Sequence, residues 1–362
     1  MKKEKLKVFE IIPTLGGGGA EKVVIDLADG LDRELFDVTI VSLYDSSYAI
    51  KSRVEFCERK GIRIVYLDKA LGFDFGLLIR LIRLIRCEKP DVIHTHLYSY
   101  KYVILLDSFF SYKHIHTFHS IIGYEKGIFN LLLHLDALLG KTTFVVLVKR
   151  FVSEMKNRYH INDNRIKYVN NGIDLTAYPV IQRMFDKSDI TFVTVGSLIP
   201  VKNHRCLLLA FVQLEKERHN RDKLYIVGDG SDEAKLKQLC VEHKIDKNVI
   251  FTGNVPNVVD YLSIADIYVC SSHFEGVSLA ILEAASTGLP LICSNVGGTT
   301  DVVGDSAVMF EDDDVAGLVG VMREMAINPK YRQNYSIRAV KMSEDFSKEN
   351  MISNYQNIYL KS

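Results

Sequence analysis

Neither sign of charge is in excess in this 362-residue sequence, because 45 basic residues balance 45 acidic ones. The missing basic surplus argues against a protein that binds nucleic acid through its bulk charge. The six cysteines are scattered and form no CxxC pair. This distribution argues against a disulfide framework or a zinc site and fits a reducing compartment.

Long uncharged apolar runs are also missing. No stretch of the sequence approaches the roughly 18 apolar residues that a membrane-spanning helix needs. The start, MKKEKLKVFEIIPTLGGGG, is basic, but Glu10 and Pro13 interrupt its apolar run, which is then too short for a signal peptide. We therefore expect a soluble, cytoplasmic chain.

Short β-branched runs alternate with amphipathic helical patterns in two series, and the length favours two domains. Strands are predicted at 7–12, 37–43, 63–67, 91–96 and 142–148, and again at 190–196, 223–230, 249–255, 267–272 and 289–294. This alternation is typical of βαβ units and of parallel sheets covered on both faces. The sequence predicts an α/β protein with two Rossmann-like, doubly wound domains.

The strand and helix pattern is lost around 172–190, where the sequence carries Gly172, Pro179 and several charged residues. We predict a linker at 176–189, between an N-terminal domain at 1–175 and a C-terminal domain at 190–345. Ligands of such sheets bind outside the carboxyl ends of the strands, so a cleft between the domains is the expected site.

Four glycines (16–19) stand between the first predicted strand and the first predicted helix. Glycine allows the backbone to approach a ligand, and a helix N-terminus offers unpaired N–H groups to an anion. The dinucleotide fingerprint needs a third glycine where Lys22 stands, which argues against NAD. A loop that faces an anion or a sugar is favoured, with a plain tight turn as the alternative.

Lys202, in VGSLIPVKNH, follows a predicted strand and precedes a helix. A lysine in this place can neutralise a phosphate with charge-assisted hydrogen bonds, although surface lysines near helix starts are common. The glycine pair in VGDGSD (227–232) is consistent with a nucleotide edge or with simple turn chemistry.

Two glutamates frame the segment SSHFEGVSLAILEAASTGLP (271–290). On one helix, Glu275 and Glu283 would lie roughly 80° out of line. We predict instead that Glu275 precedes a helix capped by Ser278 that runs to about Thr287 and contains Glu283 in its second turn. The helix N-terminus favours an anion, and Glu283 can accept hydrogen bonds from a sugar diol. Two solvated glutamates are the alternative.

This segment closely resembles the E-x7-E segment of GT-B glycosyltransferases of family 4, which are retaining nucleotide-sugar transferases. VGSLIPVKNH, YIVGDGSD, VIFTGNV and NNGID resemble the family's other motifs in order and spacing, and so do GGGGAEK, KPDVIHTH and HTFHS. The resemblance covers nearly the whole chain, most strongly 190–305. It implies two domains that face each other across a cleft, and a last helix at 346–362 that packs on the first domain.

The resemblance also implies an activity. We expect transfer of a sugar from a UDP-sugar, or a GDP-sugar, to a glycan or a lipid-linked glycan in surface polysaccharide biosynthesis, without a metal or cofactor. A nucleotide-sugar epimerase on the same fold and a catalytically silent sugar-nucleotide-binding protein are the alternatives.

Residue roles follow from the resemblance position by position. Lys202 corresponds to the lysine that stabilises the leaving diphosphate, Glu275 to a glutamate near the donor sugar, and His119 to a histidine close to that sugar. A buried structural histidine is the alternative for His119. The remaining expected contacts with the nucleotide sugar are Gly18, Gly19, Ser197, Gly228, Val255, Val277, Ser278, Leu279 and the ribose-binding Glu283.

Ser197 stands where many family members carry an arginine. The second positive charge for the diphosphate then comes from His204 or Arg205, or backbone N–H groups replace it. The acidic run EDDD (311–314) is interpreted as a solvated turn rather than a metal site.

The segment GLLIRLIRLIRCEKP (76–90) spaces three arginines, Arg80, Arg83 and Arg86, among apolar residues. If it is helical, an outer helix with a solvated basic edge is one interpretation. Peripheral contact with anionic lipid is the other, and would suit a lipid-linked acceptor.

Overall fold

A computed structural model of the protein describes residues 4–119, 127–218 and 221–361. The chain divides into two compact units, one formed by residues 1–172 together with 348–362, and the other by residues 173–347. Each unit contains one parallel β-sheet, which confirms the predicted α/β fold.

The first unit has a seven-stranded sheet in the order β3-β2-β1-β4-β5-β6-β7. Its strands are β1 (Leu6–Ile12), β2 (Phe36–Ser42), β3 (Arg63–Tyr66), β4 (Val92–His96), β5 (Lys113–Phe118), β6 (Thr143–Val146) and β7 (Ile166–Tyr168). Its helices up to residue 172 are α1 (Gly19–Gly30), α2 (Lys51–Arg59), α3 (Phe75–Glu88), α4 (Tyr100–Val103), α5 (Ile128–Leu139) and α6 (Arg150–Tyr159). The strand order reverses between the neighbours β1 and β4.

The second unit has a six-stranded sheet in the order β10-β9-β8-β11-β12-β13. Its strands are β8 (Thr191–Val195), β9 (Lys223–Val227), β10 (Val249–Gly253), β11 (Ile267–Cys270), β12 (Leu291–Ser294) and β13 (Ala307–Phe310). Its helices are α7 (His204–Arg218), α8 (Glu233–Glu242), α9 (Val258–Ile264), α10 (Leu279–Ser286), α11 (Gly297–Val303), α12 (Val315–Ile327) and α13 (Pro329–Glu344). The strand order reverses between β8 and β11.

The predicted linker at 176–189 is part of the second unit. Its backbone is irregular, but the half-buried guanidinium of Arg183 donates to the carbonyls of Leu262 at 3.0 Å and Thr287 at 3.1 Å. These bonds fix the segment to the second unit, and a pattern search cannot see them because the partners are backbone atoms distant in sequence.

The last helix, α14 (Lys348–Leu360), belongs to the first unit. Its Met351, Ile352 and Tyr355 are buried in one apolar cluster with Val8 of β1 and Val23 of α1. Burial of this stripe removes apolar surface from water and holds the chain end against the first sheet. Among the helices that the structure describes, none combines the length and the apolar character needed to cross a membrane.

Candidate active site

The candidate site of the second unit lies where its strand order reverses. β8 and β11 are parallel neighbours, with Phe192 beside Ile267 and Val193 beside Tyr268. From β8 the chain proceeds to β9 on one side and later to β11 on the other, which opens a crevice at the carboxyl ends of the strands. Lys202 follows β8 and Glu275 follows β11.

Lys202 and Glu275 are in contact. The Lys202 ammonium pairs with Oε1 of Glu275, and the Ser272 hydroxyl donates to the same oxygen at 3.0 Å. The Ser271 hydroxyl donates to the carbonyls of Lys202 at 3.2 Å and Asn203 at 3.0 Å. The loop after β11 therefore holds both the side chain and the backbone of the lysine segment.

Glu283 lies in the second turn of α10, and Glu275 lies on the preceding loop, as the spacing predicts. Ser278 occupies the N-cap, but its side chain makes no capping hydrogen bond. Burial raises the pKa of Tyr268, and the carboxylates of Glu275 and Glu283 raise it further.

Gly228 and Ser197 lie at the carboxyl ends of the neighbouring strands β9 and β8. Gly228 has a φ of +136°, and a Cβ there would meet the carbonyl oxygen of Gly196 at 2.1 Å. Only glycine permits this approach. Ser197 is exposed beside it, and Val255 is half-buried after β10. Val277 is buried before α10, and the half-buried Leu279 begins that helix.

His204 lies in a place that disfavours a positive charge in the ligand-free protein. Its side chain is buried, and burial together with the nearby Lys202 charge lowers its pKa to about 4. The imidazole is therefore neutral at pH 7. Arg205 is exposed on α7 and remains a candidate beside the backbone N–H groups.

The acidic run at 311–314 is an exposed turn, as predicted, but it is more than solvated. The Asp312 carboxylate lies 2.8 Å from Nδ1 of His273, and Asp313 accepts from the Asn203 side chain at 3.1 Å. Asp314 caps α12 by accepting from the N–H of Gly317. The turn thus contacts both loops, the one that carries Lys202 and the one that carries Glu275. These contacts cannot be predicted from the sequence, because the partners are far apart in the chain.

The glycine loop of the first unit follows β1. Gly18 is the N-cap of α1, Gly19 is its first residue, and both are exposed. The Arg53 guanidinium donates to the carbonyl of Gly16 and, at 3.2 Å, to that of Gly18. Arg53 fixes this loop from α2, and no motif in the sequence identifies it.

His119 follows β5 and is half-buried. Its Nε2 lies 2.8 Å from Nδ1 of His96, whose Nε2 lies 2.8 Å from Oε2 of Glu10. Desolvation and the neighbouring His96 lower the pKa of His119. Among the described residues, Glu10, His94 and His96 are the group of side chains with donor atoms near enough to hold a metal ion.

The arginines of α3 differ in their environment. Arg80 donates to the carbonyl of Leu67 at 2.6 Å and pairs with Asp74 at 2.7 Å, so it is engaged within its own unit. Arg83 and Arg86 are exposed. Large apolar side chains near the start of the helix are also exposed, namely Leu71, Phe73, Phe75 and Ile79.

Comparison with known proteins identifies a family for each half of the chain. The family described as Glycosyl transferases group 1 matches residues 181–342, and Glycosyltransferase Family 4 matches residues 17–177. Two successive family matches thus cover most of both units. The chain belongs to the group 1 glycosyltransferases with the GT-B fold, and it is a transferase.

Two proteins of similar sequence and one of similar structure belong to the matches. The capsular polysaccharide biosynthesis glycosyltransferase CapH of Staphylococcus aureus is 26% identical over 82% of this chain and 83% of its own length. The N-acetylgalactosamine-N,N'-diacetylbacillosaminyl-diphospho-undecaprenol 4-alpha-N-acetylgalactosaminyltransferase of Campylobacter jejuni is 25% identical over 95% of this chain and 96% of its own. HepE of Anabaena in complex with UDP-glucose has a TM-score of 0.80 at 16% identity, covering 98% of this chain and 100% of that one.

Proposed function

We propose that the protein transfers a sugar from a nucleotide-diphosphate sugar to a glycan or a lipid-linked glycan, with retention of configuration, in surface polysaccharide biosynthesis. The contact between Lys202 and Glu275 at the switch point of the second sheet, with Glu283 in the next helix, carries the proposal. A UDP-sugar is the favoured donor, supported by the UDP-glucose bound to HepE, and a GDP-sugar is the alternative. The names of CapH and of the Campylobacter enzyme support the acceptor class.

The proposed mechanism rests on charge. The nucleoside diphosphate leaves as an anion while positive character builds on the sugar, and a preorganised cation stabilises the departing phosphates. Lys202 exchanges its Glu275 partner for the diphosphate, since both anions compete for one ammonium group. Glu275 is then released toward the sugar, and Glu283 accepts hydrogen bonds from the ribose.

Retention requires the acceptor hydroxyl to attack the face from which the diphosphate departs. We assign His119 of the first unit to the donor sugar, and the glycine loop at Gly18 and Gly19 to the phosphates and the acceptor. Lys202 and the N–H groups at the start of α10 supply the charge compensation, so the proposed transfer needs no metal.

We further propose that the first unit contacts anionic lipid through 76–90. Arg83 and Arg86 are exposed, and Phe73, Phe75 and Ile79 add exposed apolar surface beside them. Basic and apolar side chains together favour binding to a charged membrane surface. A protein bound to the membrane surface would have access to a lipid-linked acceptor.

The test is incubation of the purified chain with UDP-, GDP- and ADP-sugars and candidate acceptors, with nucleoside diphosphate release as the readout. Release with a product that keeps the anomeric configuration of the donor supports the proposal, and activity that survives EDTA supports metal independence. Interconversion of nucleotide sugars without release would indicate an epimerase. Thermal stabilisation by a nucleotide without any turnover would indicate a silent binder.

A further inference from the structure

A chain of buried polar groups leads from the last helix to His119 within the first unit. The Tyr359 hydroxyl donates to Oε1 of Glu10 at 2.6 Å. The other oxygen, Oε2, lies 2.8 Å from Nε2 of His96, and Nδ1 of His96 lies 2.8 Å from Nε2 of His119. The side chains of Glu10 and His96 are fully buried, so bulk water does not compete for these bonds.

The positions of the protons in this chain follow from the donor and acceptor inventory. Burial alone would raise the pKa of Glu10, but its interactions with His94 and His96 outweigh the effect of burial and lower that pKa. The ionised carboxylate only accepts, so His96 carries its proton on Nε2. Burial lowers the pKa of His96 to about 4, so its Nδ1 has a lone pair. That lone pair requires a proton on Nε2 of His119.

A metal ion would be another explanation for Glu10, His94 and His96. Ligand atoms about 2.0–2.1 Å from a tetrahedral ion lie about 3.3–3.4 Å from one another. Here Nε2 of His96 and Nδ1 of His94 lie 2.8 Å and 3.0 Å from the same carboxylate oxygen. These are hydrogen-bond distances, and the rings have hydrogen-bond partners of their own: Nε2 of His96 contacts the carboxylate, and Nδ1 of His94 lies 2.7 Å from the Tyr359 hydroxyl.

We propose that Glu10 is a positioning residue that acts through His96 to fix the tautomer of His119, with the proton on Nε2 and the lone pair on Nδ1. His119 then accepts a hydrogen bond from a hydroxyl of the sugar substrate and does not donate one. This role rests on the proposed function. A neutral acceptor suits that reaction, because a cationic imidazole would oppose the positive charge that develops on the sugar.

The tautomer can be measured without any substrate. Long-range 15N–1H NMR of the histidine-labelled protein at pH 7 distinguishes protonated from unprotonated ring nitrogens, and comparison with His119→Gln assigns the His119 signals. We expect a neutral ring protonated at Nε2. A His119 that is cationic, or protonated at Nδ1, would overturn the proposal, and this measurement depends on the native chain alone.

The variant Glu10→Gln tests the origin of the tautomer. In the expected arrangement the Tyr359 hydroxyl, which also lies 2.7 Å from Nδ1 of His94, keeps donating to the amide oxygen, and the amide NH2 takes the other position and donates to Nε2 of His96. His96 then donates from Nδ1, and the proton of His119 moves to Nδ1. Tyr359→Phe is the matched control, because it removes one partner of Glu10 but keeps the carboxylate, and it should retain the native tautomer. An unchanged tautomer in both folded Glu10→Gln and folded Glu10→Leu, in which no side-chain oxygen can accept from His96, would remove Glu10 from the role.

Kinetics and metal analysis complete the test. We expect Glu10→Gln to lower kcat by about tenfold or more, the scale of one inverted hydrogen bond, with KM for the donor changed by less than about twofold. A stoichiometric metal ion in the purified protein would overturn the hydrogen-bond network. If the native protein turned over no nucleotide sugar, the proposed function would fail, while the tautomer measurement would still decide the role of Glu10.

Discussion

The ammonium of Lys202 forms an ion pair with the carboxylate of Glu275, although 73 positions separate them in sequence. The side chains retain 24% and 10% of their exposure, so the pair is accessible to a ligand and still shielded from full solvation. Its attraction therefore exceeds that of a surface ion pair. The pair holds the lysine beside the point where the strand order of the second sheet reverses.

Removal of the Lys202 amine should lower turnover. We expect Lys202→Ala to reduce kcat at saturating donor by more than about tenfold, or over about 1.4 kcal/mol of transition-state stabilisation. The exposed Lys216→Ala on α7 is the control for general loss of positive charge. Unchanged turnover in Lys202→Ala would remove the leaving-group role.

Glu283 should act on nucleotide affinity. We expect Glu283→Ala to weaken UDP binding by about tenfold or more in calorimetry, because hydrogen bonds from ribose hydroxyls to a carboxylate are charge-assisted. Glu233→Ala on α8 removes a carboxylate from the same unit and should leave the affinity as it is. Equal affinities for Glu283→Ala and native protein would argue against the ribose assignment.

His204 should make the second unit less stable in acid. Its pKa of about 4 in the folded state lies below the ordinary 6.5, so the unfolded chain binds a proton first as the pH falls. The contribution of neutral His204 to the free energy of unfolding is complete above pH 6.5 and is lost as the pH falls from 6.5 to 4. The loss amounts to about 1.4 kcal/mol at about pH 5.5.

Urea unfolding of native protein and His204→Leu at about pH 7.5 and about pH 5.5 measures this effect. The loss of unfolding free energy on acidification should be smaller in the variant by the amount given above. The exposed His243→Leu serves as the control. Equal losses in native protein and His204→Leu would show that His204 is not the buried neutral imidazole described here.

Lipid binding should depend on the exposed part of α3. We expect native protein to float with anionic liposomes at low salt and to dissociate at high salt, because surface charges are screened. Arg83→Ala combined with Arg86→Ala should reduce flotation, whereas Lys235→Ala combined with Lys237→Ala on α8 should not. Absence of native binding at low salt would end the membrane proposal.

Ten strands could be predicted from β-branched runs, and the structure confirms each of them. β5 was not predicted, because its KHIHTF sequence alternates with histidine and threonine instead of forming an apolar run. Its histidines are buried nonetheless, since Thr95 and Asp107 provide hydrogen-bond partners. β7 (IKY) and β13 (AVMF) are also absent from the prediction, because each contains a single β-branched residue and so forms no β-branched run.

The two sheets, the glycine turns and the location of Glu275 before a helix that contains Glu283 can be inferred from the sequence, because these features depend on short-range periodicity and turn chemistry. The contacts between distant groups depend on the three-dimensional fold: Lys202 with Glu275, Asp313 with Asn203, and Glu10 with His96 and Tyr359. Such contacts arise when parallel strands bring their ends to one edge and a returning helix fills the core, and no local pattern encodes them.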